Sequence, residues 1–300
     1  SPRPFFLFSH QMKPDNSMTQ PLILISNDDG IRAPGIQALK EACRELGEVW
    51  VAAPEHEQSA KSHAISLHEP LRFKKYDERE FSITGTPSDA VYCGIHHLLP
   101  RKPDIVISGI NSGPNLGNDV IYSGTVAAAM EGAMFGHRAI AVSLCLPEHQ
   151  DKLRGKNLDY SVAAKLSRDI AYGCLQSPVQ PGITLNVNVP YTEGKETGGV
   201  KVCRLGYTNW ASSVHERKDP RGKRYYWIGG ERSGSDGIAD SDNEAIAKGF
   251  VSVTPLHYDL TASRSFDYLR NLAIGSADRI DDELGNEPLE PVVTPFMKSK

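Results

Sequence analysis

The sequence predicts an α/β fold: a doubly wound, mostly parallel sheet in three layers (Rossmann-like), with a C-terminal β-hairpin or arm. Three observations predict it. Apolar runs recur at 22–26, 49–54, 104–110, 139–144 and 183–189, and unbroken runs of this kind suit strands covered on both faces. Helical patterns and polar loops alternate with these runs. Beyond Pro190 the texture changes, and Gly, Arg and Tyr become dense, as in an extended arm.

In chain order, the run at 22–26 passes through Asn27-Asp28-Asp29-Gly30 into a helix opened by Pro34-Gly35. The apolar residues Ile36, Leu39, Cys43 and Leu46 of that helix share one face. A second buried strand at 49–54 precedes a polar loop at 55–63, and shorter strands follow at 71–76 and 81–84. Thr86-Pro87-Ser88-Asp89 carries N-cap chemistry for a helix that Val91, Ile95 and Leu98 continue. The strand at 104–110 ends in a loop at 111–123, then come a small-residue helix at 125–135 and the strand at 139–144. A long amphipathic helix at 158–174 leads to the strand at 183–189, which closes the sheet, and strands at 224–228 and 250–255 belong to the arm. The expected division is a leader outside the fold at 1–20, with Met18 an equally good beginning, an α/β core at 21–190, an arm or hairpin region at 191–275, and an acidic, mobile tail at 276–300.

Composition narrows the function. A chain of 300 residues can bury a sizeable core. Its net charge of -4 offers no basic stripe for a nucleic-acid polymer. Cys43, Cys93, Cys145, Cys174 and Cys203 are scattered with no CxxC pair, which fits a reducing cytosol and argues against a disulfide framework or a thiolate metal site. No stretch is long and apolar enough to span a membrane, and PFFLF at 4–8 is too brief for a signal peptide. These features predict a cytoplasmic protein acting on small molecules.

The chemistry gathers where strands end. Side chains alternate along a strand, so Asp28 and Asp29 would diverge if the strand continued; Gly30 lets the chain bend and turn both toward one point. Adjacent carboxylates need a proton or a cation between them, and a hard divalent metal fits best. A polar turn with a solvated Asp-Asp-Gly is the commoner reading of the tripeptide alone. Two further strand ends alter that balance: Ser59 with Ser62 and His63, and Asn111. Two carboxylates, an amide and a hydroxyl supply four oxygens for a Mg²⁺-type ion and leave places for water and phosphate. NSGPNLGN at 111–118 brings backbone N–H groups close to a ligand, and Ser123-Gly124-Thr125 opens a helix whose start suits phosphate.

The strings ISNDDGIRAPGIQAL, VAAPEHEQSA, ITGTPSDAVY, DIVISGINSGPNLGNDVIYSGTVAAAMEG, DPRGKRYYWIG and VSVTPLHYDLTA stand here in order. Together they resemble the survival protein E (SurE) family of nucleotidases over roughly residues 21–262. The resemblance implies a phosphatase for nucleoside 5′- and 3′-monophosphates with one divalent cation, Mg²⁺ or Mn²⁺, per subunit. It also implies exopolyphosphatase activity in some members and a homodimer or homotetramer built through the arm. It places the metal on Asp28, Asp29, Ser59 and Asn111. One departure is visible: the glycine usual after the metal serine is Ala60 here, and a positive φ at that position would re-aim the Ser59 loop.

The mechanism expected from these residues is in-line attack of water on the phosphate, with Asp28 or Asp29 accepting its proton; the sequence leaves open which, and also leaves open a carboxylate nucleophile. Ser123, Gly124 and Thr125 cradle the phosphate and Asn115 adds an amide donor. His257 either protonates the leaving oxygen or has a structural bond, the commoner role near a strand end. His63 is read as solvent-facing in preference to touching substrate, His96 and His97 as surface residues, and 217–224 as a solvated hairpin tip. The alternative is a non-hydrolytic nucleotide-binding or regulatory module. Two carboxylates at the first turn, where a dinucleotide fold needs glycines, would repel a pyrophosphate.

Overall fold

The computed structural model describes residues 20–146, 158–177, 181–208, 213–229 and 236–270. The expected tail, and all of the expected leader except Gln20, lie outside the described residues. The elements are β1 (Leu22–Ser26), α1 (Pro34–Cys43), β2 (Glu48–Pro54), β3 (Phe73–Asp77), β4 (Glu80–Ile83), α2 (Pro87–Cys93), β5 (Ile105–Ser112), α3 (Gly124–Met134) and β6 (Arg138–Cys145). They continue with α4 (Ser161–Gln176), β7 (Ile183–Pro190), β8 (Val200–Val202), β9 (Ser213–Lys218), β10 (Arg224–Gly229), α5 (Asp242–Ala247), β11 (Val251–His257) and α6 (Phe266–Arg270).

The sheet runs β3-β4-β2-β1-β5-β6-β7-β11-β8. From β4 to β7 every neighbouring pair is parallel. The chain winds outward from β1 through β2 to β4, then returns to β5 on the other side of β1 and winds the opposite way. The topological switch point therefore lies between the ends of β1 and β5, where open α/β sheets bind ligands.

Both faces are covered, as the apolar runs require. Ile23 and Ile25 of β1 pack on one side with Ile36 and Leu39 of α1 and with Ala163 and Ala171 of α4. Leu24 points to the other side and meets Ala90 and Val91 of α2 and Ala128 of α3. This alternation along a fully buried strand produces the three layers. The N-cap chemistry at Thr86 forms a full capping box, in which Thr86 Oγ1 accepts the Asp89 N–H and Asp89 Oδ2 accepts the Thr86 N–H. After α2 the helix continues as one π-helical stretch, Gly94–Leu98, which carries the exposed His96 and His97.

The structure corrects three sequence expectations. The strand expected in the arm at 250–255 is β11, which lies antiparallel to β7 within the main sheet, so the sheet does not close at β7. Its alternation of Val251 and Val253 with Ser252 and Thr254 marked a strand and was silent about its partner. Pro255, which cannot donate to a ladder, falls beyond the three residues paired with β8, where that edge of β11 is open. The hairpin consists instead of β9 and β10, paired from Ser213↔Gly229 to Lys218↔Arg224, so Arg217 belongs to a strand and the tip is 219–223. Finally, β5 runs on through Asn111 and Ser112, after a register slip against β6 between Ser108 and Asn111.

Candidate active site

β1 delivers Asn27, Asp28 and Asp29 to the switch point. Gly30 adopts φ 97°, and the Asn27 side-chain amide ties the turn by donating to the Gly30 carbonyl at 2.9 Å. Asp28 is almost wholly buried, at 4% exposure, whereas Asp29 is half-buried. A cavity of about 680 Å³ opens at this edge, and its walls include Asp28, Asp29, Ser59, Asn111, Asn115 and Ser123. The size is that of a small-molecule site. Glu57, Asp119, Tyr122 and Tyr160 also face it.

Asp28 is held chiefly by the start of α3. Its Oδ1 accepts the Thr125 hydroxyl at 2.5 Å, and the Thr125 backbone N–H also donates to it. Burial pushes its carboxyl up from 3.8 to about 6; the Thr125 hydroxyl opposes the rise and the charge of Asp29 adds to it. At about 1.36 kcal/mol per unit, the displacement corresponds to roughly 3 kcal/mol against ionisation at neutral pH. Asp29 Oδ2 accepts the Ser112 N–H at 3.2 Å. Burial raises the Tyr160 phenol; a hydrogen bond with the Ser112 side chain opposes that rise and the Asp29 charge adds to it.

The start of α3 also carries the residues expected to cradle phosphate. Thr125 is fully buried and its hydroxyl donates to Asp28. Gly124 is a spacer: a Cβ there would lie 2.8 Å from Asp28 Cβ and 2.9 Å from Asp28 Oδ2. Gly124→Ala is therefore expected to destabilise the protein by about 1–3 kcal/mol, read as a lower urea midpoint at unchanged slope; an unchanged midpoint would refute the close approach. Ser123 caps α3 by accepting the Val126 N–H at 3.0 Å and keeps its own proton available for donation. Asn115 turns its amide N–H to Ser143 Oγ at 2.7 Å, while the amides of Asn186 and Asn188 hold its carbonyl. Its expected role as an amide donor to phosphate is thus shared with a structural bond.

The other sequence candidates are placed as follows. Asn111 donates its amide to the Gly113 carbonyl, which leaves the amide oxygen as its remaining face. Ser59 is exposed and donates to Glu57 Oε1 at 2.9 Å. Ala60 does adopt a positive φ, 58°, and Ser62 follows at 55°, so this loop carries two left-handed residues without glycine. The loop is tied to its surroundings by the Ser62 hydroxyl on the Ile121 carbonyl and by Gln58 N–H on the Asp28 carbonyl. His63, expected to face solvent, pairs through Nε2 with the buried Glu131 at 2.5 Å. His257 aligns with Ile183, the first residue of β7, and so sits at the opposite edge of the sheet from Asp28. Its Nδ1 accepts the Asp259 N–H at 2.8 Å. The structural role holds, and protonation of a leaving group within this subunit does not.

The oxygen-rich donor set fits a hard divalent cation. Among the described residues no group of three or more His, Cys, Asp or Glu side chains is arranged to hold a metal; here two carboxylates are complemented by an amide and a hydroxyl. A cation beside Asp28 would offset the desolvation that now disfavours its charge. Sequence reasoning did not single out Ser112, Glu57 and Asp119, which lie in the loops it identified, and it missed Tyr160, which reaches the cavity only through tertiary packing.

The family model described as "Survival protein SurE" matches residues 23–212. The chain is 49% identical over 241 residues to a "5'-nucleotidase SurE" of Myxococcus xanthus, covering 80% of this chain and 88% of that protein. It is 44% identical over 259 residues to a "5'/3'-nucleotidase SurE" of Salmonella arizonae, covering 85% and 98% respectively. A crystal structure of the Sure protein from Aquifex aeolicus superposes with a TM-score of 0.73 at 40% identity, covering 83% of this chain and 98% of that one. This chain belongs to the SurE family.

Proposed function

We propose that the protein is a 5′/3′-nucleotidase, a divalent-metal-dependent phosphomonoesterase that releases phosphate from nucleoside monophosphates. The observation that carries the reading is the buried Asp28 beside Asp29 at the switch-point cavity, its carboxyl pushed to about 6. The names of its relatives, 5'-nucleotidase and 5'/3'-nucleotidase, support the substrate class.

Asp28, Asp29, Asn111 and Ser59 would hold one Mg²⁺ or Mn²⁺ per subunit, which when bound supplies positive charge for the phosphate oxygens and acidifies water. The protein's own groups do the rest. Thr125 fixes the Asp28 rotamer from beneath. The carboxylate pair accepts the proton of the attacking water, and the Ser123 hydroxyl and the Gly124 N–H at the start of α3 bind phosphate oxygens. Trimming of short polyphosphates follows from the same contacts, since a terminal phosphate presents the same oxygens. The reading places the enzyme in the cytoplasm, as a homodimer or homotetramer built through the region after residue 190; no helix among the described residues is long and apolar enough to cross a membrane.

A panel of 5′- and 3′-nucleoside monophosphates and tripolyphosphate, assayed for phosphate release with Mg²⁺, Mn²⁺ or EDTA, tests it. Release from the monophosphates that EDTA abolishes is expected. No release from any nucleotide with either metal would overturn the proposal.

A further inference from the structure

The loop that carries Asn111 to Asn118 is gripped at its far end by a carboxylate 125 residues later in the chain. Asp242, the first residue of α5, is fully buried. Its Oδ2 accepts the Gly117 N–H at 2.9 Å and its Oδ1 accepts the Gly206 N–H at 2.8 Å. Thr208 adds two bonds to the same loop, from its N–H to Asn118 Oδ1 at 2.6 Å and from its hydroxyl to the Leu116 carbonyl at 3.2 Å. Leu116, Gly117 and Asn118 are thus all tied to Asp242 or to Thr208. The backbones are in direct contact, because a Cβ on Gly117 would lie 2.9 Å from the Gly206 carbonyl oxygen.

A buried carboxylate is tolerated when N–H groups surround it, and such charge-assisted bonds are stronger than neutral ones. Here the N–H groups come from two chain segments that are remote in sequence, so one carboxylate locks them together. Asp242 is absent from the walls of the cavity. Its effect on chemistry must therefore run through the loop.

We propose that Asp242 is a positioning residue, which staples the 116–118 end of the active-site loop to the segment leading toward the β9–β10 hairpin and so sets how the loop lies across the cavity. The kinetic part of this proposal rests on the nucleotidase reading; the staple itself does not. A loop released at that end still admits substrate but holds the reacting groups out of line, so the loss falls on kcat and not on KM.

Asp236 supplies the control. It grips the same segment through the Tyr207 N–H at 3.1 Å, and its other partners are Ile238, Ser241 and Asn243, all within 207–243 and outside the active-site loop. Asp242→Asn is isosteric and turns one acceptor oxygen into a donor. We expect amide exchange at Gly117 to accelerate about tenfold and kcat to fall about tenfold, with KM within about threefold of wild type. Asp236→Asn should leave Gly117 exchange and kcat within about twofold. Thr208→Val, which removes the bond to the Leu116 carbonyl and keeps the Thr208 N–H, should move both readouts in the direction of Asp242→Asn and by less, and it decides the matter if Asp242→Asn does not fold. Unchanged Gly117 exchange in Asp242→Asn, or an equal fall of kcat in Asp236→Asn, overturns the proposal. If the wild type releases no phosphate, the nucleotidase reading fails alone: exchange at Gly117 that accelerates in Asp242→Asn but not in Asp236→Asn upholds the staple, and any other exchange result overturns it.

Discussion

Asp28→Asn is expected to lower metal-dependent phosphate release from AMP by a factor of about a thousand, equivalent to roughly 4 kcal/mol of transition-state stabilisation. The same substitution should make the metal-free protein more stable. Asparagine keeps an oxygen that accepts the Thr125 hydroxyl, so the contact at 2.5 Å survives. It removes a charge that burial opposes and that repels Asp29, the two influences that raise this carboxyl to about 6. Relief of up to about 3 kcal/mol at pH 7 should raise the melting temperature of the EDTA-treated protein by several degrees. The two measurements together separate a catalytic carboxylate from a structural one, whose loss would lower both. Retention of more than a tenth of the wild-type rate would remove Asp28 from the chemistry.

The second expected result is that Mn²⁺ stabilises the protein about twice as much at pH 7.5 as at pH 5. A carboxyl raised from 3.8 to about 6 binds more proton in the folded state than in the unfolded one, so its contribution to stability declines as pH rises through that window. Burial has the reverse consequence at His137, whose imidazole is pushed down from 6.5 to about 4. There the unfolded state binds more proton, and stability is lost as pH falls below 6.5. The two groups oppose one another over nearly the same window, so the metal-free melting temperature alone is uninformative. The difference with and without metal isolates the aspartates, because the cation binds their ionised form and must displace the proton below about pH 6. At a free Mn²⁺ concentration a hundredfold above Kd, stabilisation at pH 7.5 is about 2.7 kcal/mol, or roughly 5–10 °C. At pH 5, where a carboxyl at about 6 is about nine-tenths protonated, the same concentration should give about half of that, and EDTA should remove both shifts. A shift of equal size at the two pH values would show that the ion binds elsewhere.

The parts legible in the sequence were those written locally. Apolar runs identify buried strands because both faces of a parallel sheet exclude water, and β1, β2, β5, β6 and β7 follow them closely. Residues at strand ends gather at one edge by topology alone, which is why Asp28, Asp29, Ser59 and Asn111 line a single cavity. What escaped was pairing and commitment. Val251 and Val253 announce a strand, yet nothing local says that its neighbour is β7, reached after sixty intervening residues. Thr125 was recognised as part of an anion-binding helix start, and the anion that it binds is the protein's own Asp28. Asn115 presented an amide whose partner, Ser143, lies on another strand. The His63–Glu131 pair likewise spans 68 residues, beyond the reach of any pattern along the chain.

The return of β11 to the flank of β7 has a consequence for how the molecule tolerates change. The hairpin lies on an excursion that leaves the sheet at β8 and returns to it at β11, so its two ends are pinned in one sheet. Closing such an excursion costs only about 0.6 kcal/mol more for each doubling of its length. The hairpin can therefore lengthen, shorten or diverge at small thermodynamic expense, while the catalytic edge between β1 and β5, with β6 and β7 between it and β11, keeps its geometry.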